Sequence, residues 1–136
     1  MDAKIAHLQM VQAVITRMGS NSFLLKGWSV TLVAALFALA AASKVNPLFV
    51  FLAYFPAFAF WSLDAYFLRQ ERLFRKLYDH VRDVSASETD FSMDTTPFSG
   101  AVDSQFEVAF SETLRVFHGM IVATIVVVMI VLLLKQ

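Results

Sequence analysis

The sequence predicts an all-α membrane protein: three transmembrane helices, an N-terminal amphipathic helix and a helical cytoplasmic extension. Three observations predict it. Apolar residues make up 58% of the 136 positions and charged residues only 16%, against about 25% charged in soluble domains. The apolar residues fall into three blocks, each near the ~20 residues that cross a ~30 Å hydrocarbon layer. The basic residues lie almost entirely on one side of those blocks.

Residues 1–22 form the N-terminal element. Ile5, Leu8, Val11, Ile15 and Met18 recur at three- and four-residue spacing, the signature of an amphipathic helix. The run Gly19, Ser20, Asn21 and Ser22 is expected to break or cap it before the first span. The helix then lies on the inner membrane face or packs on the cytoplasmic part.

The first span is residues 23–43 and the second 47–68. The run ALAAAS at the end of the first resembles a signal-peptidase site. The amphipathic element ahead of the block favours a retained signal anchor. Small residues recur every fourth position, at Gly27, Thr31 and Ala35 and at Ala34, Ala38 and Ala42. Such rows let helix backbones approach closely in lipid, either with another span of the chain or with a second copy. In the second span, Pro56 removes one backbone hydrogen bond and predicts a kink. Lys26 and Asp64 sit at matching depth near the cytoplasmic edge, where ionisable groups tend to pair. Arg115 and His118, at the entrance to the third span, are expected to join that structural polar layer.

Residues 69–115 form the cytoplasmic extension. No Gly or Pro occurs from Ala57 to Val84, so one helix is expected to run out of the second span. Leu73, Leu77 and Val81 form its apolar stripe, and Glu71 lies four residues before Arg75, a supportive pair. Residues 85–104 carry four acids, no Lys or Arg, and Ser, Thr, Gly and Pro. They predict a loop, flexible or docked by Phe91, Met93 and Phe98. A return helix over about 105–118 leads into the third span, residues 116–134, the most uniformly apolar stretch.

Nine of the eleven Lys and Arg residues precede the first span, sit at its near edge (Lys26) or lie between the second and third; only Lys44 and Lys135 lie on the other side. The positive-inside rule puts the N-terminus and the long loop in the cytoplasm and the C-terminus outside. Formal net charge is zero, which gives no reason to expect nucleic-acid binding. Without cysteine, thiolate metal sites and cysteine nucleophiles are excluded. His7, His80 and His118 lack metal-ligand spacing, and Asp90 and Asp94 lack a cage for a divalent ion. No phosphate loop or nucleophile motif occurs. Neither a cofactor nor a metal nor an enzymatic activity is expected. The R-x4-H spacing of Arg75 and His80 resembles the motif of HEPN ribonucleases, but a salt-bridged helix surface accounts for both residues.

The segments HLQMVQAVITRMGSNSFLLKGWSVTLVAALFALA, YFLRQERLFRKLYDHVR and ETDFSMDT resemble a family of small bacterial multi-pass membrane proteins, over most of the chain. In layout the chain is similar to membrane components of antiphage systems: CRISPR-associated and RADAR-associated accessory proteins and SLATT-type effectors. That likeness implies a homo-oligomeric, membrane-perturbing or pore-forming effector of the bacterial inner membrane. Ala34, Ala38, Leu73 and Leu77 are the expected interface between copies. The alternative is a non-conducting anchor or accessory subunit that holds a soluble cytoplasmic protein at the membrane.

Overall fold

The computed structural model describes residues 2–42 and 47–136. The expected turn at 43–46, with Lys44, lies outside the described residues. Among them the regular elements are all helical: α1 (Asp2–Ala42), α2 (Pro47–Leu52), α3 (Tyr54–Asp83), α4 (Gln105–Ala109) and α5 (Glu112–Leu134). Two short 3-10 turns, Ala86–Glu88 and Thr96–Ala101, punctuate the segment between α3 and α4. Three helical stretches, in α1, in α2 with α3, and in α5, are long and apolar enough to cross a membrane.

The expected break at 19–22 is absent. α1 runs through Gly19, Ser20 and Asn21 as one helix of 41 residues, roughly 60 Å long at 1.5 Å per residue. The reason is tertiary. His7, Val11, Ile15, Ser22, Ser29, Val33 and Ala40 are its buried positions, a stripe at four- and seven-residue spacing. The stripe crosses the Gly-Ser-Asn run without a change of phase, and α3 packs along it. Continuous packing of this kind outweighs the ~1 kcal/mol helix cost of one glycine. The buried stripe is also rotated from the expected one, for Ile5 is 46% exposed and His7 only 1%.

α1 and α3 form the most extensive contact in the molecule and run antiparallel. Lys4 Nζ reaches the carbonyls of Arg82 and Val84, at 2.6 and 2.8 Å, at the end of α3. Val11 and Ile15 close on Leu77 and Val81 there, with Met93 and Phe98 of the following segment packed over them. So Leu73 and Leu77, expected between copies, are buried inside the single chain, at 4% and 3% exposure. For Leu77 the stripe of α1 supplies the contact.

At the apolar end the core is Val33, Ala40, Val50, Ala53, Ala57 and Ile125. Its alanines allow close approach of the helices. They are not the expected row, since Ala34 and Ala38 are exposed. The interruption at Ala53 follows from Pro56, which has no N–H for the Leu52 carbonyl. The Ala53 N–H turns instead to the Val50 carbonyl at 3.1 Å, three residues back. Outward faces of these helices are apolar: Trp28 is 57% exposed, Phe55 78% and Leu134 82%.

The return helix is in two pieces rather than one. α4 begins at a capping box, in which the Ser104 hydroxyl accepts the Glu107 N–H and the Glu107 carboxylate accepts the Ser104 N–H. It ends at Phe110, and α5 starts after Ser111. α5 lies against α2 and α3 rather than along α1, and a groove of about 350 Å³ separates it from α1, between Val30, Ala34 and Phe37 on one side and Phe117, Ile121 and Thr124 on the other.

Candidate functional site: a buried carboxylate joining three helices

Asp64 is fully buried in the middle of α3. A lone carboxylate there would be costly, and three side chains from two other helices meet it. From α1, Lys26 Nζ lies 2.6 Å from Oδ2, and the Ser22 hydroxyl donates to Oδ1. From α5, His118 Nε2 donates to Oδ2 at 2.7 Å. Lys26 also donates to the Ser22 hydroxyl at 3.0 Å, so the groups form a closed network. Ser22 and Lys26 are four residues apart, on one face of α1, which is why both reach the same carboxylate.

Trp61, one turn before Asp64 on α3, frames the network. Its ring stacks on that of His118, with centroids 5.7 Å apart and planes 9° apart. Its Nε1 donates to the Ala109 carbonyl at 2.7 Å, tying α3 to the end of α4. Phe110 tilts against the same indole, and the Lys26 ammonium sits 5.9 Å from the Phe117 ring centroid. Because His118 donates from Nε2 to a carboxylate, its proton is on that nitrogen. Nδ1 is buried and, among the described residues, has no hydrogen-bond partner.

Position along the helices gives the cluster its meaning. From Ser22 to the end of α1 there are 20 residues, from Asp64 back to the start of α2 17, and from His118 to the end of α5 16. At 1.5 Å per residue those lengths are roughly 30, 26 and 24 Å. The polar network therefore closes one end of an apolar bundle whose length matches a hydrocarbon layer. On the other side of the network α1 and α3 continue as a pair of amphipathic helices.

The structure thus brings together Lys26, Asp64 and His118. It does not bring in Arg115, which is exposed, and which makes no side-chain hydrogen bond or ion pair among the described residues. Arg115 follows the buried Leu114 directly, so it points about 100° away around the helix. Ser22 and Trp61 complete the site and were not expected. A serine in a run read as a helix break carries no mark of a ligand to a carboxylate. Trp61 stands beside Phe55, Phe58 and Phe60 in the second span, and nothing local singles it out. Arg75 pairs with Glu71 at 2.7 Å on the surface of α3, whereas His80 tilts against Phe98, so the two do not converge. Among the described residues, no three His, Asp or Glu side chains are placed to hold a metal ion.

Compared with protein-family models, curated proteins and solved structures, the chain matches none.

Proposed function

We propose that this chain is a bacterial inner-membrane protein whose copies associate and perturb the bilayer in response to a cytoplasmic cue. Its N-terminus and the 69–115 segment face the cytoplasm, and its C-terminus faces outward. The observation that carries the reading is the uneven hold on α5. The Asp64 network fixes it to α1 and α3 at one end, yet a groove opens between it and α1 over about two turns. Beyond the network Ile125 still seats α5 on the common core, but its α1-facing side is parted from α1, which leaves room for rearrangement there, and the exposed Ala34 and Ala38 beside the groove offer a close-packing surface to a second copy. α1 and α3 pass unbroken from the amphipathic pair into the apolar bundle, so a change at one is felt at the other. The similarity of layout to antiphage membrane effectors extends the proposal to a role in defence.

Cross-linking in native membranes, followed by mass measurement, tests it together with a voltage-sensitive dye. Discrete multimers and depolarisation on expression are expected, both reduced by Ala38→Leu. A monomer that leaves the potential unchanged would remove this reading and leave the second, a non-conducting anchor for a soluble protein. One observation favours that second reading. The hydroxyls of Thr31 and Thr124 turn back to the carbonyls of Gly27 and Met120 on their own helices. They supply no polar face along a span. A pore in this protein therefore requires a hydrophobic constriction that opens by rearrangement.

A further inference from the structure

A second cavity, of about 250 Å³, lies far from the Asp64 network, between the end of α3 and the segment that follows it. Its polar wall holds the carboxylates of Glu88, Asp90 and Asp94. Among the described residues, no Lys or Arg lines it. The nearby cations at the end of α3 are engaged elsewhere: Lys4 on the carbonyls of Arg82 and Val84, Arg82 beside Asp79 and Asp83. Asp90 and Asp94 each accept a backbone N–H two residues on, from Ser92 at 3.0 Å and Thr96 at 2.9 Å. The Thr96 hydroxyl and N–H hold the Asp94 carboxyl below the usual carboxylate range. Among the described residues, the Glu88 carboxylate has neither a hydrogen bond nor an ion pair, and no cation pairs with any of the three.

His7 supplies an independent sign of a missing ligand. It lines the same cavity and is 1% exposed. Its Nε2 donates to the Ser92 carbonyl at 2.8 Å. Nδ1 is left as a buried acceptor with no partner. The Thr89 hydroxyl, also on the wall, is buried and unpartnered as well. The wall thus carries three carboxylates without a cation and the unpartnered His7 Nδ1, together with Thr89, Ser92 and His80, whose hydroxyls and ring can donate or accept, beside an apolar floor of Leu77, Val81 and Phe98. An ammonium offers three donors and no acceptor, and a methylene chain packs on such a floor. The acceptors are too dispersed to hold one metal ion, which favours a ligand that carries its charges apart.

We propose that this cavity binds a short aliphatic diamine or polyamine, with one ammonium held by Glu88 and Asp90 and the chain lying along Leu77 and Val81. The binding goes beyond the membrane activity proposed above and is measurable without it.

Isothermal titration calorimetry on the full chain in detergent tests it, with putrescine, its uncharged analogue butanediol and Mg²⁺. Saturable putrescine binding is expected, with none for butanediol or Mg²⁺. Glu88→Gln with Asp90→Asn is expected to weaken it by about tenfold or more, the effect of a lost charge-assisted hydrogen bond. Asparagine at 90 keeps an oxygen for the Ser92 N–H, so the local turn is retained. Asp2→Asn with Glu112→Gln removes two exposed acids outside the cavity wall and is expected to leave binding unchanged. Absent putrescine binding, equal binding of Mg²⁺, or equal weakening by the two double variants would overturn the proposal.

Discussion

Replacing Asp64 by asparagine keeps the shape of the side chain and removes its charge. Lys26 then faces a neutral amide, and His118 Nε2 competes with Ser22 for one oxygen. The expected result is a loss of roughly 1–3 kcal/mol of folding stability in detergent, typical of a removed charged partner. Lys26→Met together with Asp64→Leu leaves neither charge unpaired and is expected to recover part of the loss. Thermal unfolding followed by tryptophan fluorescence reads it, since Trp61 stacks on His118. Additive damage in the double variant would show that the two residues act independently. Lys26, Asp64 and His118 were legible in the sequence because an ionisable group in an apolar run needs a partner. Arg115 was misjudged because its depth was right and its helical phase wrong, and phase at a helix start depends on where the helix begins. Ser22 was illegible because nothing in its neighbours marks a hydroxyl as a carboxylate ligand.

At the scale of elements, Gly19 decides between a jointed and an unbroken α1. A Cβ added there would meet only the Glu71 carboxylate, at 3.9 Å, an ordinary contact. Gly19→Ala is therefore expected to stabilise the protein by about 0.5–1 kcal/mol, the helix-propensity difference, as a raised melting temperature in detergent. A lowered one would mean that the backbone at 19 needs freedom that only glycine has. The sequence suggested a joint because Gly, Ser and Asn commonly end helices. What kept α1 whole is the partner stripe on α3, some fifty residues away, which local propensity does not register. The Pro56 interruption was legible, because a missing N–H acts within one turn. The start of the return helix near Gln105 was legible too, and the Ser104 and Glu107 capping box is the local pattern that fixes it. The run 105–118 looked continuous because no Gly or Pro marks Phe110. The Trp61 bond to the Ala109 carbonyl lies where it breaks.

For the whole molecule, the nine-to-two distribution of Lys and Arg gives a direct prediction. A reporter fused after Gln136 is expected outside the cytoplasm, and one inserted near Thr95 inside. Both on one side would require an even number of crossings and would overturn the three-span reading. The architecture of three long apolar helices was legible from block length alone. The division of labour within each helix was not, because it depends on which faces meet.

The Asp64 network lies at the midpoint of α1. Ser22 has 20 residues on either side of it, to Asp2 and to Ala42, or arms of roughly 30 Å each. Because α3 packs along α1 on both sides of that point, the two helices would tilt together, as one beam whose bearing is the contact of His118 with Asp64. A displacement of the Lys4 end is then returned at the Ala42 end with equal size and opposite sense. His7 lies 15 residues from Ser22 and Ala42 lies 20, arms of roughly 22 and 30 Å, so closure over a cavity beside His7 would reach the far side of the apolar bundle enlarged by about a third.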